Sequence, residues 1–247
     1  MTQPSETGTR PDATPVSDQE PGPRWLEAAA RTMFPPECAV AVQRYDPPGF
    51  IPHPDDSAAV SSAVEKRRWE FTAGRAAARA ALEELGVPAS FIGIGPDRNP
   101  LWPVGLGGSI THTNGLALAV VARRARIAAL GIDLESSDAV KADLWRVILT
   151  PAEIGWIRGW PGDRHVEWAT LIFCAKECFF KLQHPLTGQW VDFLEAEVSL
   201  VPGQSEFSLA CTKSAATDLL GRARFTGRYA GGYGLTLAAM HLPAVGA

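Results

Sequence analysis

The stretch that decides the fold is IAALGIDLE at residues 127–135. Side chains alternate along a strand, so Asp133 and Glu135 point to one face while Ile132 and Leu134 point to the other. The apolar face predicts a strand packed on a core. Two carboxylates about 7 Å apart repel each other unless a cation or a base lies between them. Oxygen ligands favour Mg2+ or Mn2+ over zinc, although a solvated edge strand with two surface acids has the same spacing.

Before this stretch, the pattern predicts one α/β unit. Its elements are a short amphipathic helix at 25–33, a strand at 38–45, a long Ala-rich helix at 57–85, and two strands on either side of a turn at 113–115. Gly and Pro dominate residues 89–108, which we expect to form a loop. A basic turn then leads into the deciding strand.

After this stretch, the pattern predicts a second unit of similar make-up. Two helices come first, and a capping box formed by Thr150 and Glu153 starts the second of them. A longer helix follows at about 163–182. Strands with a Gly-Gly turn at 231–232 then run from Trp190 onward.

The repeated order of elements predicts an α+β fold made of two pseudo-symmetric α/β halves. We place the N-terminal half at 25–126 and the C-terminal half at 127–247. Residues 1–24 consist largely of Pro, Ser, Thr, Asp and Glu, with few apolar side chains. That composition predicts a disordered tail.

Composition and charge exclude several classes of function. The chain has 247 residues, of which 46% are hydrophobic, and a formal net charge of −4. That is enough apolar material for a sizeable core, and the acidic balance argues against nucleic-acid binding. No apolar run reaches the roughly 18 residues of a membrane helix, and the N-terminus carries no signal peptide. The four cysteines lack a CxxC pair, so we expect them to be reduced in a cytoplasmic protein.

The segment FCAKECFFK at 173–181 holds a second candidate site. On a helical wheel Glu177 lies roughly 180° from the apolar stripe, and Lys181 lies close beside it. Phe173 and Phe180 nevertheless flank Glu177 on its own face. Apolar neighbours make a carboxylate a better base unless a metal holds it ionised. A surface ion pair between Glu177 and Lys181 fits the same spacing.

A third candidate is the basic helix segment KRRWEFTAGR at 66–75. The residues that share one face of this helix are Arg68, Thr72, Arg75 and Arg79, with Arg67 beside them. Clustered guanidinium groups suit phosphate recognition, whereas most basic helix faces are simply solvated. Glu65 and Glu70 partly neutralise this segment.

His112 ends the predicted strand SITH at 109–112, just before a tight turn. A single histidine there is more often structural than catalytic, and no other histidine completes a zinc spacing with it. The sequence has no GxSxG elbow around Ser109, no Walker A loop and no placed GxGxxG. These absences argue against a hydrolase triad and against the commonest nucleotide-binding folds.

In their order and spacing, these segments resemble the Sfp/EntD-type 4′-phosphopantetheinyl transferases. The resemblance spans Lys66 to about Glu197, and its strongest segments are KRRWEFTAGRAAARAAL, PLWPVGLGGSITHT, LGIDLE and LIFCAKECFFKLQHPLTGQW. It implies a pseudo-two-fold pair of α/β halves with the active site in the cleft between them. It also implies transfer of the phosphopantetheine arm of coenzyme A to a serine of an acyl or peptidyl carrier protein. Adenosine 3′,5′-bisphosphate would leave.

The resemblance further implies a role for each matching residue. Asp133, Glu135 and Glu177 would hold Mg2+, or Mn2+, on the coenzyme A pyrophosphate. Glu177 would also take the proton of the carrier serine, directly or through water, and Lys181 would lie nearest the pyrophosphate as a second catalytic group. The implied coenzyme A-binding residues are Arg67, Arg75, Thr111, His112, Asp133, Lys176 and Lys181. Arg67, Arg75 and His112 would surround the 3′-phosphate.

Two other functions fit parts of the pattern. One is a binding module that holds coenzyme A or a carrier protein without turnover, although pure binding needs no base such as Glu177. The other is a different Mg-dependent nucleotide enzyme, such as a phosphohydrolase. Some relatives carry a lysine where this chain has Asp97 and Arg98, which leaves one phosphate contact open.

The carrier protein would need a basic or apolar rim beside the cleft. Candidates are the arginines at 123, 124 and 126, and the segment 141–158 with its tryptophans. The chain length suits a pseudo-dimeric monomer.

Overall fold

The computed structural model describes residues 21–45, 50–88, 91–201 and 203–244. Its helices are α1 (Pro21–Met33), α2 (Pro54–Ala59), α3 (Glu65–Glu84), α4 (Trp145–Ile148), α5 (Pro151–Arg158), α6 (His165–Thr187) and α7 (Ser214–Leu220). Its strands are β1 (Ala39–Arg44), β2 (Gly93–Ile94), β3 (Pro100–Leu101), β4 (Leu106–Thr113), β5 (Leu116–Arg123), β6 (Ile127–Ser136), β7 (Ala196–Leu200), β8 (Glu206–Cys211), β9 (Arg224–Gly232) and β10 (Leu235–Pro243). Short 3-10 turns lie at 142–144, 162–164 and 193–195. The predicted α+β fold class is confirmed.

The N-terminal part is a three-stranded antiparallel sheet in the order β1-β5-β4. The central strand β5 is buried on both faces. Ala119 and Val121 pack with the alanines of α3, while Leu118 and Val120 pack with α1 on the opposite face. The period-2 alternation of β5 therefore supplies two separate helix contacts.

The C-terminal part is a five-stranded antiparallel sheet in the order β6-β10-β9-β8-β7, with α6 packed on β6 and β10. A Cβ atom added at Gly131 would lie 2.1 Å from the carbonyl oxygen of Cys178. Only glycine therefore permits β6 to approach α6 this closely. The close approach carries Asp133, two residues further along β6, up to the side chains of α6.

The two sheets meet where β4 runs beside β6. The Ile132 N–H donates to Ser109 Oγ at 3.2 Å, and the Leu134 N–H donates to Thr111 Oγ1 at 3.0 Å. Side-chain hydroxyls thus join two strands that belong to different sheets. On the other face, α1 buries Leu26 against apolar residues of both sheets and so covers the seam.

Several predicted elements have different bounds in the structure. The helix predicted at 57–85 is two helices, because the chain turns between α2 and α3 and a 2.6 Å ion pair from Arg79 to buried Asp56 folds α2 back on α3. The predicted loop at 89–108 contains β2 and β3, which pair with each other, and the start of β4.

In the C-terminal part, the predicted Gly-Gly turn is wrong. Gly231 and Gly232 belong to β9, and the turn falls at Tyr233 and Gly234, both of which have positive φ. The helix α7 was not predicted. The predicted disordered tail at 1–24 lies outside the described residues except for 21–24, which form the first turn of α1.

Candidate active site

A cleft of about 450 Å3 opens between the N-terminal and C-terminal parts. One wall is the loop and strand from Asp97 to Ile110, and the other is the later half of α6 with Lys181, His184 and Pro185. Arg124 also lines the cleft, held by a hydrogen bond from its Nε to the Leu106 carbonyl. The cleft therefore lies at the seam between the sheets and carries cationic side chains.

Lys181 and Asp133 form an ion pair at this cleft. Lys181 Nζ lies 2.6 Å from Asp133 Oδ1, which also accepts a hydrogen bond from Thr111 Oγ1 at 3.2 Å. Asp133 is 2% exposed, and the Lys181 side chain is 27% exposed. Asp133 Oδ2 is buried and accepts no hydrogen bond from the described residues. A buried carboxylate oxygen without a partner is costly, so it marks a place for a cationic group.

The acids predicted as a metal site influence one another electrostatically. Burial, followed by the charges of Asp133 and Glu177, raises the pKa of Glu135 to about 7. Burial, followed by the charge of Asp133, also raises the pKa of Glu177. Burial acts to lower the pKa of Lys181, but its ion pair with Asp133 outweighs burial and the net pKa is raised. Three carboxylates thus share one region with a single firmly protonated lysine.

The side chains of these acids are not arranged as the ligands of a metal ion. Among the described residues, no group of three His, Cys, Asp or Glu side chains meets the geometry of a metal site. Like charges separate unless a cation lies between them, and here Lys181 occupies Asp133 Oδ1. The donor chemistry still fits Mg2+, because the ligands are all oxygens and Asp133 Oδ2 is unpartnered.

A second, smaller cavity of about 210 Å3 lies on the other side of Phe180. Glu177 lines it, opposite the segment 190–193 and Ala196. Phe180 packs edge-on against Trp190 at 5.1 Å between ring centroids, and Phe173 packs against Phe193 at 5.6 Å. The two phenylalanines predicted to flank Glu177 therefore build an apolar surrounding for it.

Arg67 and His112 lie together at the far end of β4, outside the wall of the larger cleft. Arg67 Nη1 lies 3.3 Å from His112 Nε2. Arginine can only donate, so Nε2 accepts and the imidazole proton lies on Nδ1. Nδ1 faces Glu70 Oε1 at 3.9 Å. Burial lowers the pKa of His112, and the charges of Lys181 and Asp133 also act on it, which places it within electrostatic reach of the cleft.

The side chain of Lys176, predicted as a phosphate contact, is bonded within the protein. Its ammonium group is buried and donates to Glu153 Oε2 at 2.7 Å, to the Ile148 carbonyl at 2.8 Å and to the Phe193 carbonyl at 2.9 Å. A lysine has three N–H donors, and all three are used within the protein. Lys176 and Glu177 are adjacent in sequence, but consecutive helix residues point about 100° apart.

Arg75 and Thr111 also have other contacts than those predicted. Arg75 is buried and donates to the carbonyls of Ile92 and Gly93, so its guanidinium supports the chain before β3. Burial lowers the pKa of Arg75 to about 10. Thr111 is buried and holds Asp133 in place. In this structure both side chains shape the surroundings of the site, and their role as coenzyme A ligands stays a prediction.

Three residues of this region were missed as site residues. Glu70 lies between Arg67 and His112, and its position one turn after Arg67 on the same helix was an available signal. Glu153 was identified only as a capping residue, and its pairing with Lys176 needs the tertiary fold. Ser109 was considered only as a nucleophile, whereas it bonds the backbone of β6.

The structure also bears on the surroundings of the site. Trp145 and Ile148 of the segment 141–158 are buried, so they belong to the core rather than to a docking rim. Within the described ranges, none of the helices combines the length and apolar character needed to cross a membrane.

Family models and curated relatives all match this chain to one family of proteins. Two family models match the chain: the 4′-phosphopantetheinyl transferase N-terminal domain over residues 55–122, and the 4′-phosphopantetheinyl transferase superfamily over residues 129–233. The chain is 38% identical over 203 residues to 4′-phosphopantetheinyl transferase Svp of Streptomyces mobaraensis, covering 81% of this chain and 82% of that protein. It is 40% identical over 155 residues to 4′-phosphopantetheinyl transferase PptT of Mycobacterium tuberculosis, covering 62% and 67%. Enterobactin synthase component D of Escherichia coli K12 is 39% identical over 152 residues, covering 56% and 66%.

The alignment with Svp covers four fifths of this chain and of that protein. The two family models together include Arg67, His112, Asp133, Glu177 and Lys181. The chain therefore belongs to the 4′-phosphopantetheinyl transferase superfamily.

Proposed function

We propose that this enzyme transfers the 4′-phosphopantetheine arm of coenzyme A to a serine of an apo acyl or peptidyl carrier protein, with Mg2+, and releases adenosine 3′,5′-bisphosphate. One observation carries the proposal: the Lys181–Asp133 pair reaches the cleft through Lys181, leaves one carboxylate oxygen unpartnered among the described residues, and interacts electrostatically with Glu135 and Glu177. Transfer from a diphosphate needs charge neutralisation, positioning and a base. The side chains in this region supply all three.

Coenzyme A is long and amphipathic, and the two adjacent cavities suit its two ends. The larger cleft, with Lys181 and Arg124, suits the nucleotide and the pyrophosphate. The smaller cavity, with its aromatic walls, suits the less polar pantetheine arm. We assign the 3′-phosphate, which projects from the ribose of the nucleotide, to Arg67 and His112 beyond the wall of the larger cleft.

Glu177 is the base in this proposal. The serine hydroxyl of the carrier attacks the phosphorus next to the pantetheine arm, and its proton passes to Glu177, directly or through water. The bond from that phosphorus to the bridging oxygen breaks, and adenosine 3′,5′-bisphosphate takes the electron pair. Burial and the charge of Asp133 raise the pKa of Glu177, and a raised pKa makes its carboxylate a stronger proton acceptor. Mg2+ held by Asp133, Glu135 and Glu177 would supply positive charge to the pyrophosphate when bound.

The seam between the sheets also supports the proposed division into halves at 25–126 and 127–247. Lys181 and Asp133 come from the second half, whereas Thr111, Arg67 and His112 come from the first. We propose that one chain holds one complete site and acts as a monomer. Size-exclusion chromatography with light scattering tests this point. The cytoplasmic location stays a prediction.

The proposal is tested by mass spectrometry with a panel of apo carrier proteins, coenzyme A and Mg2+. The expected product is a carrier about 340 Da heavier, together with adenosine 3′,5′-bisphosphate. Addition of a chelator should stop the reaction, and excess Mg2+ should restore it. Coenzyme A binding without product on any carrier would favour a binding module, and coenzyme A cleavage without carrier modification would favour a phosphohydrolase.

A further inference from the structure

The Lys176 ammonium group lies in a fully occupied polar pocket. Its side chain and that of its partner Glu153 are each 1% exposed. Its three acceptors come from three separate elements, namely the end of α4, the first turn of α5 and the 3-10 turn at 193–195. No N–H donor of Lys176 is left for a ligand. Movement of the ammonium group out of this pocket would break three hydrogen bonds and leave the Glu153 carboxylate without its cation.

Glu153 extends the same network to two more backbone groups. Its Oε2 accepts from the Thr150 N–H at 2.7 Å, which is half of the capping box of α5. Its Oε1 accepts from the Val198 N–H of β7, also at 2.7 Å. Both carboxylate oxygens are therefore satisfied, and the pair ties α4, α5, α6 and β7 to one point.

This network borders the smaller cavity. The carbonyl that Lys176 holds belongs to Phe193, which forms part of the wall opposite Glu177. The Phe193 ring packs on Phe173 of α6, one turn before Glu177. The bond from Lys176 to Phe193 thus fixes the distance between α6 and the 190–196 wall.

We propose that Lys176 and Glu153 are positioning residues that set the width of the Glu177 cavity, and that Lys176 is not a phosphate ligand. The proposal rests on the proposed transferase function. Loss of the pair should let the 190–196 wall shift relative to α6, so that the reacting groups align poorly. Such misplacement lowers kcat, whereas loss of a phosphate contact weakens coenzyme A binding.

The test compares Lys176→Met with Lys181→Met, the same change five residues apart on one helix. For Lys176→Met we expect kcat to fall about 10- to 100-fold, with the Kd for coenzyme A within about 3-fold of wild type. For Lys181→Met we expect the Kd to rise about 10-fold or more, because a charge-assisted contact is lost. Isothermal calorimetry gives Kd, and carrier modification gives kcat. A Kd increase for Lys176→Met equal to that of Lys181→Met would overturn the proposal.

A double variant tests whether the loss of kcat in Lys176→Met comes only from unfolding of the protein. Lys176→Met leaves Glu153 as a buried charge without a partner, whereas Lys176→Met with Glu153→Gln removes both charges and keeps a side chain that can cap α5. The double variant should regain part of the lost Tm, and its kcat should be no lower than that of Lys176→Met alone. Multiplied losses of kcat would show that the two residues act independently, against the proposal.

The calorimetric comparison needs no turnover. If the wild-type chain modifies no carrier, the proposed function fails, but the Kd values still show whether Lys176 contacts coenzyme A. An unchanged Kd for Lys176→Met beside a raised Kd for Lys181→Met would support its structural placement even then.

Discussion

Two lysines of α6 each form an ion pair with a carboxylate from another element. The two nitrogen–oxygen distances are nearly equal, but the surroundings differ. Lys176 lies 2.7 Å from Glu153, and Lys181 lies 2.6 Å from Asp133. In the first pair every donor and both carboxylate oxygens have partners. In the second, one carboxylate oxygen accepts nothing from the described residues, and the lysine is partly exposed at the cleft. The difference indicates which pair supports the fold and which can act on a ligand.

The pKa shifts of the two lysines also differ. Burial lowers the pKa of Lys176 and raises that of Glu153, so this pair loses much of its solvation energy. The pKa of Lys181 is raised instead, since the charge of Asp133 outweighs burial. Lys181 therefore stays a firm positive charge beside the cleft. A hydrogen-bond distance alone would not have separated the two pairs.

The largest effects should come from removing the acid of each pair. Asp133→Ala should lower carrier modification at least about 100-fold, because even indirect support of a metal ligand contributes 10- to 100-fold. Its Tm should change little, since Lys181 can reach solvent. Glu153→Ala should instead destabilise the protein by about 3–5 kcal/mol, lowering Tm by roughly 10 °C. Calorimetric unfolding and mass spectrometry measure the two effects, and a similar Tm loss in both variants would contradict the comparison.

Arg67 and Arg75, the two arginines that the sequence predicted at the 3′-phosphate, should differ in the same way, one acting on ligand binding and the other on stability. Arg67 is half exposed beside His112, so Arg67→Ala should weaken coenzyme A binding about 10-fold and leave Tm unchanged. Arg75 is buried on two carbonyls, so Arg75→Ala should reduce stability by about 2 kcal/mol. Binding of 3′-dephospho-coenzyme A is the control, because Arg67→Ala should not weaken it. Equal weakening for both ligands would remove Arg67 from the 3′-phosphate.

Close packing of β6 on α6 can be tested at Gly131. Gly131→Ala would place a methyl group against the Cys178 carbonyl, and we expect a loss of about 1–3 kcal/mol. Gly155→Ala is the matched control, because a Cβ there meets nothing within 4 Å and the site is inside α5. That variant should gain about 0.5–1 kcal/mol from helix propensity. Chemical denaturation measures both, and a neutral Gly131→Ala would show that the strand can shift.

The smallest effect should be a pH dependence of stability from Glu135. Its folded pKa of about 7 lies above the ordinary 4.5, so the folded state binds the proton more tightly. That contribution is complete below about pH 4.5 and is lost as pH rises through 7. After solvent screening we expect on the order of 1 kcal/mol. The Tm of wild type relative to Glu135→Gln should therefore fall by about 2–4 °C between pH 5 and pH 8, without added metal. A Tm difference between the two proteins that stays constant from pH 5 to pH 8 would contradict this prediction.

The sequence predicts which side chains of β6 and α6 are buried in the core, because strand and helix periods are local. Alternation along IAALGIDLE predicted that Ile132 and Leu134 lie in the core, and both are fully buried in the cluster that includes α1, while Asp133 is directed towards Lys181 of α6. The helical wheel placed the apolar stripe of α6 in the core, and its members Trp168, Leu171, Ile172, Ala175, Phe179 and Leu182 are all buried. Both results follow from geometry within a few residues.

The contacts that the sequence did not reveal involve partners distant in sequence. Nothing near Lys176 shows that Glu153, 23 residues earlier, takes its charge. Arg75 bonds carbonyls 17 and 18 residues later, in a segment whose Gly and Pro content predicted only a loop. The break between α2 and α3 likewise depends on the pairing of Asp56 with Arg79. Helical wheels place a charge on a face, but they do not tell which charge is consumed by the fold.

The hydroxyl contacts across the seam have a consequence for variation among such enzymes. Strands paired by backbone hydrogen bonds lie about 4.8 Å apart, and side-chain substitutions do not change that spacing. Here Ser109 and Thr111 stand between β4 and β6, so the gap follows the reach of two small side chains. A substitution at Ser109 or Thr111 can therefore change the distance between β4 and β6, and with it the width of the cleft, while both sheets stay as they are.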